Sequence, residues 1–346
     1  MQILRILSGL AVAFVLLLPG EPAQAQTKTV VKYAISDAEG PLPAAQALKT
    51  FKAYVEFASD HKIEVQTFFG TLGASRETTE QTKLGTLQMT NTEDGAFGGF
   101  YPRIQALNLP YLFPSGPVAW DFLNSQFARE MGEDIAKTTG LRVLAFTENG
   151  FRNFGTNGHV IKVPEDVTGL KMRVMESPVF IEFMKSMGAA ATPIPINQLV
   201  LALQQGVVDG QENSAVFMVD WGISDVIKYV SMTEHVYSVQ LYLINDQFFR
   251  SLPPEQQHIL VGGAQVASMN NIVLRESLVG DAIAKMRAKG VEVHITTPTE
   301  KEAFRKVTQP AVLAYLKKTL GDDYMDGLLK AEAEAEHRVY PAATKN

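Results

Sequence analysis

The chain has 346 residues, 46% of them apolar, with 31 basic and 37 acidic side chains, a net charge of −6 and no cysteine. That balance excludes a disulfide-stapled scaffold, a lipidated cysteine anchor and a basic nucleic-acid binder, since neither basic runs nor aromatic-basic interleaving occur. An anionic ligand would have to be held by local groups, against a weakly opposing overall field.

Residues 1–25 read as a signal peptide. Arg5 gives a thin positive start, the apolar stretch from Leu7 to Leu18 is too short to span a bilayer comfortably, and Ala23-Gln24-Ala25 is an A-x-A site with the cut after Ala25. A membrane anchor is the alternative, but Gly20, Glu21 and Pro22 interrupt the apolar stretch. The expected mature protein is soluble and periplasmic, begins at Gln26, and keeps the charge of −6 because Arg5 and Glu21 leave together. About 320 residues then remain, more than one core usually serves, so two domains are expected.

The mature chain opens with a strand over 28–36, a helix marked by Leu48, Phe51, Val55 and Ala58, a strand over 62–68, a helix over 76–84 and a strand over 86–92. This β-α-β-α-β order predicts an α/β protein with a mostly parallel sheet flanked by helices. Pro102, Pro110, Pro114 and Pro117 break up the next stretch, before a helix over 118–137 and a strand over 142–147. A second α/β unit is expected from Asn149, with a strand from Leu170 to Val174 and helices over 178–187 and 197–205, the latter capped by Asn197. Val207 and Val208 read as a short strand, and Asp209-Gly210 as a bend capping a following helix. A strand over 236–244, a long helix over 253–289 and terminal helices complete the chain, with 330–336 a solvated helical face.

Chemistry is sparse. The chain has no H-E-x-x-H, G-x-S-x-G or P-loop, and Gly95, Gly98 and Gly99 lack dinucleotide-binding spacing. The six histidines, at 61, 159, 235, 258, 294 and 337, read as surface or loop residues, so no metal and no cofactor is expected. What remains is a set of polar residues following predicted strands or short apolar runs: Ser36, Glu93, Arg152, Arg173 and Asn213. In a two-domain α/β protein, strand ends open into the ligand cleft. Arg173 leads the set, because it leaves the strand by the face opposite Leu170, Met172 and Val174, and its guanidinium offers a planar two-pronged donor to a carboxylate.

Three stretches carry a resemblance: Asn149-Gly150-Phe151-Arg152-Asn153, Pro164 to Val174, and the run from Leu201 to Asn213 that ends Gly210-Gln211-Glu212-Asn213. With Tyr33-Ala34-Ile35-Ser36 and the last helices, the whole mature chain resembles the substrate-binding component of a tripartite ATP-independent periplasmic (TRAP) transporter. The resemblance implies a periplasmic-binding-protein-like fold of two α/β domains, mixed sheets flanked by helices, joined by crossing strands and a long helix, with the ligand cleft between them. Domain I would be 26–149 plus 239–278, and domain II 150–238 plus 279–346. The implied activity is binding, not catalysis: a monomer closes on an organic acid and hands it to membrane permease subunits. By the resemblance, Arg173 grips the ligand carboxylate, Asn213 assists, Arg152 is a second cleft arginine, and Glu93 and Ser36 touch the far end of the ligand.

Ala96 stands where the sialic-acid-binding members carry an arginine, Ser36 where they carry asparagine, and Ile196 where they carry an aromatic residue. These departures argue against sialic acid and leave a C4 dicarboxylate, a keto or hydroxy acid, or an aromatic carboxylate. Arg152 would either receive a second carboxylate or be occupied by Glu93. Two other classes stay open: a periplasmic enzyme that binds an acid through Arg173 and uses Glu93 or Glu212 as base, and a sensor presenting its closed form to a receptor.

Overall fold

The computed structural model describes residues 28–341. The expected leader and its cut after Ala25 lie outside these residues. The first half runs β1 (Thr29–Ile35), α1 (Pro43–Ala58), β2 (Ile63–Phe69), α2 (Ser75–Lys83), β3 (Met89–Glu93), α3 (Asp94–Phe97), α4 (Gly116–Leu123), α5 (Gln126–Thr139) and β4 (Leu141–Thr156). The second runs β5 (Lys171–Val174), α6 (Pro178–Ser186), β6 (Ala190–Pro193), α7 (Ile196–Gln204), β7 (Gly210–Ser214), α8 (Ala215–Asp220) and β8 (Tyr229–Asn245). The chain then continues through α9 (Asp246–Ser251), α10 (Pro254–Ala288), β9 (Glu292–Ile295), α11 (Pro298–Leu320) and α12 (Asp322–Val339).

Nine strands form one mixed sheet in the order β2-β1-β3-β8-β4-β7-β5-β6, with β9 also on β8. Two parallel groups stand at its ends, β2-β1-β3 and β7-β5-β6. Between them β4 and β8, of 16 and 17 residues, run antiparallel to each other along their length. These two strands cross from one half of the molecule to the other. The boundaries expected at 149/150 and 238/239 face each other, because Glu148 pairs with Val239 and Gly150 with Ser238. A bulge lies at that point, and Gly150 takes φ +89, a conformation that would strain any other residue. The third boundary falls within α10, which continues unbroken for 35 residues.

Among the described residues, the core forms three clusters. Tyr33, Leu48, Phe51 and Val55 from β1 and α1 pack with Leu260 and Ala264 of α10 on one side. Leu199, Met218 and Met286 from α7, α8 and α10 pack together on the other. A larger cluster runs from α4 through α6 to α11 and α12.

Several local expectations are corrected. The helix over 118–137 is two helices, because Ser125 restarts the second by accepting from the Ala128 N–H at 3.3 Å. Helix α7 starts after Pro195 with no side-chain cap, and Asn197 lies within it, exposed. Val207 and Val208 form no strand. Gly206 at φ +67 donates to the Leu203 carbonyl and Val207 to that of Ala202, the paired bonds that close a helix through a left-handed glycine. Asp209 therefore leads into strand β7 rather than a helix, and its carboxylate accepts from the Lys171 N–H at 2.8 Å. His235 is no surface residue; it is fully buried. The tail over 330–336 is solvated only in part, since Ala331 and Ala335 pack inward.

At the crossing point the carboxyl of Glu148 is buried, accepting from Tyr237 Oη and, at 3.1 Å, from Trp120 Nε1, while its Oε1 has no fixed donor among the described residues. Burial pushes its pKa up to about 7; Tyr237 and Trp120 oppose the rise and the neighbouring Glu276 adds to it. The folded pKa lies above the unfolded one, so this group's stability is full at low pH and is lost as pH rises through 7. Glu148→Gln should flatten the fall in thermal stability between pH 5 and 8, and exceed the parent by about 1–3 kcal/mol at pH 8. Melting curves of both proteins at the two pH values check it, and parallel curves would place the titration elsewhere.

Candidate functional site

Where the ends of β3, β5 and β7 converge beside β4, they enclose a cavity of about 60 Å³, lined by Ser75, Glu93, Ala96, Asn149, Arg152, Arg173, Met175, Ile196, Asn213 and Phe217 among others. A water needs roughly 10–15 Å³ measured this way, so the space suits a small solute. Of the residues singled out from sequence, Arg173, Asn213, Arg152, Glu93 and Ile196 meet there; Ser36 does not line it. Ser36 sits just past β1, nearly buried.

Arg173 is the third residue of β5, whose inward register against β7 places it opposite Gln211. Its Nε donates to the Ile194 carbonyl at 2.8 Å, and its Nη1 is buried without an acceptor among the described residues. Burial lowers its pKa to about 10, and Arg152 adds to this while Glu212 opposes it. The guanidinium thus stays charged at neutral pH, in no ion pair, with a donor unspent.

Arg152 differs in kind. Fully buried, it grips the Glu212 carboxylate through Nε and, at 2.8 Å, through Nη2, which also donates to the Glu212 carbonyl at 2.8 Å. The Phe180 ring lies 5.2 Å from its guanidinium carbon. Burial alone would raise the Glu212 pKa, but Arg152 and the His235 hydrogen bond outweigh it and hold the carboxyl below its ordinary value. His235 lies between Phe154 and Phe183 at 4.6 and 4.8 Å between ring centres, and burial lowers its pKa. Its Nδ1 meets the Thr233 hydroxyl at 2.8 Å and its Nε2 lies 3.4 Å from Glu212.

Glu93 does not occupy Arg152. Its carboxylate accepts from the Ser75 hydroxyl at 2.7 Å and from Gln240 Nε2 at 3.3 Å, opposite Gln240 in the β3–β8 register. Asn213 Oδ1 accepts from Asn149 Nδ2 at 3.1 Å and from the Ser214 N–H at 2.9 Å, leaving its NH₂ end available to a ligand. Ile196 opens α7 on the apolar wall with Phe217 and Met175. Asn149, Ser75 and Phe217 are site residues that the sequence does not single out: Asn149 lies within the motif around Arg152, but only its side-chain hydrogen bond, 64 residues along the chain, shows that it meets Asn213. Among the described residues no cluster of three or more His, Asp or Glu is placed to hold a metal.

Residues 39–319 match the family described as bacterial extracellular solute-binding protein, family 7. A solute-binding protein of Verminephrobacter eiseniae is 34% identical over 272 residues, covering 78% of this chain and 81% of its own. The ectoine-binding periplasmic protein TeaA of Halomonas elongata is 30% identical over 315 residues, covering 88% of this chain and 92% of its own. The sugar acid binding protein of Advenella mimigardefordensis in complex with galactonate superposes with a TM-score of 0.85 at 26% identity, over 89% of this chain and 99% of that one. A TRAP periplasmic solute binding protein from Polaromonas bound to D-erythronate gives 0.82 at 29% identity, over 87% and 98%.

The Arg152–Glu212 pair should behave as structure. Glu212→Ala strands a buried guanidinium and should cost about 3–5 kcal/mol, read as a large drop in melting temperature without added ligand. A variant melting within two degrees of the parent, about 1 kcal/mol at most for a protein this size, would contradict that role.

Proposed function

The chain belongs to the bacterial extracellular solute-binding proteins of family 7, and from that premise we propose that it captures a small organic acid with one carboxylate for a TRAP permease. As a member of that family it is a binding protein rather than an enzyme. Of the two candidate bases, Glu212 is engaged on both oxygens by Arg152, and Glu93 accepts from Ser75 and Gln240. No helix among the described residues is long and apolar enough to cross a membrane. The finer reading is a monomer, exported by a leader cut after Ala25, that works in the periplasm with membrane permease subunits.

The observation that carries this reading is Arg173: a buried cation on the lining of a cavity of ligand size, with no ion pair and an unspent donor among the described residues. Such a group costs stability and is supported by a carboxylate from outside. Asn213 supplies a second donor. A second carboxylate would find Arg152 neutralised by Glu212 and would have to reach the exposed Arg76 on the lining, so one carboxylate, on Arg173, suits the buried wall, where Glu93 is an acceptor. Glu93 suits a hydroxyl donor instead. A hydroxy monocarboxylate fits both walls, and relatives crystallised with galactonate and D-erythronate bind that class.

The lobes of this reading are 26–149 plus 239–278, and 150–238 plus 279–346. Arg173 and Asn213 then belong to the second lobe and Glu93 to the first. A ligand seated on one lobe gains its remaining contacts only as the other arrives, and that difference in contact energy favours closure.

Arg173→Gln should weaken binding by about a hundredfold or more, the cost of removing one partner of a desolvated ion pair. It should not lower the ligand-free melting temperature, because the charge it removes is in no ion pair among the described residues. The check is a thermal-shift screen of refolded parent and variant against hydroxy acids, keto acids and dicarboxylates. A variant binding within a few fold of the parent would refute the assignment.

A further inference from the structure

Behind the cavity wall, one hydrogen bond joins the two halves of the sheet through residues outside the cavity lining. Trp221, just past α8, donates from Nε1 to Asp37 Oδ1 at 3.2 Å. Asp37 comes two residues after β1 and is 3% exposed. The indole stacks on Phe217, with ring centres 5.4 Å apart and planes 16° from parallel, and Phe217 lines the cavity. Ligand contact, aromatic stack and inter-half hydrogen bond thus stand in series.

The acceptor side is tied to the neighbouring strand: Gly70, just past β2 at φ +63, donates its N–H to the Ile35 carbonyl at 3.0 Å. A carboxylate buried there is costly unless it is met by donors or positive charge. Among the described residues the indole N–H is its one side-chain donor, and the charge of Arg275, buried on α10 with Nη1 unpartnered among them, favours its ionised form. Such a carboxylate adds little to either half alone and becomes favourable when the indole arrives.

On the binding reading above, we propose that Trp221 and Asp37 are positioning residues that form a closure latch. A ligand resting on Phe217 orders the ring, the ring orients the indole, and the indole N–H meets Asp37 only when the two lobes are together. The latch holds the ligand by slowing reopening, without touching it.

The test uses the full mature protein, unfolded and refolded to strip ligand, with D-erythronate, D-galactonate, pantoate and ectoine as probes. Affinity is measured by calorimetry and release by stopped-flow for the probe that the parent binds tightest. Trp221→Phe and Asp37→Ala should each weaken binding by about tenfold to a hundredfold, the worth of one hydrogen bond to a charged group. The loss should appear as faster release, with ligand-free melting temperatures unchanged. The double variant should be no worse than the worse single one, and Asp37→Asn, which keeps an acceptor oxygen, should recover most of the loss. Losses that add, or a Trp221→Phe protein binding within twofold of the parent, would overturn the latch while leaving the Arg173 result standing. No stabilisation of the parent by any of the four probes would count against the binding reading itself, and the latch with it.

Discussion

The buried contact between Arg152 and Glu212 is the constraint around which the site is arranged. Glu212 sits on β7, and its partner sits on β4, the strand that crosses the molecule. A charge pair in a dry interior repays its desolvation only when geometry is good and the remaining hydrogen-bonding groups are satisfied. Here the Glu212 carbonyl, His235 and the face of Phe180 complete it. The pair therefore fixes the register of β7 on β4, and with it the placement of Asn213, paired opposite Asn153. Because β5 is built on β7, Arg173 inherits the same frame.

Two arginines of the same type thus do opposite things. One is saturated by the protein and builds the wall; the other is left with donors unspent and shapes what the wall can receive. Desolvation bears on both, and the difference lies in the nearest carboxylate: Glu212 lies against Arg152, whereas Glu93 is bonded to Ser75 and Gln240. On the proposed reading, the cleft selects through what it withholds from Arg173 as much as through what it offers.

Much of this was legible in the sequence. Alternation around Arg173 gave the strand and its inward face, and the β-α order gave the parallel groups, because both depend on local periodicity. Some differences are local, as where Ser125 restarts a helix and Gly206 closes one; the larger ones come from tertiary pairing. The β4 strand was expected to stop at Thr147, since nothing local reveals that β8 accompanies it to Thr156. His235 was read as a surface residue because its neighbours Phe154 and Phe183 are distant in sequence. Ser36 was chosen for its place after β1, yet the residue that makes the long-range contact there is the next one, Asp37. Pairings such as Arg152 with Glu212, 60 residues apart, leave no trace in spacing.

The strand order also bears on how the chain becomes ordered as it emerges from its amino end. Strand β3 lies between β1 and β8, and Glu93 finds its partner Gln240 only after 147 further residues. Until then the first parallel group keeps an open edge, and α1 lacks the α10 surface that covers it in the finished core. Closing so long a loop comes late and is slow. A nascent chain built this way leaves its first parallel group uncovered until residues 240–264 are available, and an incompletely packed chain is the condition in which a polypeptide passes through a narrow pore.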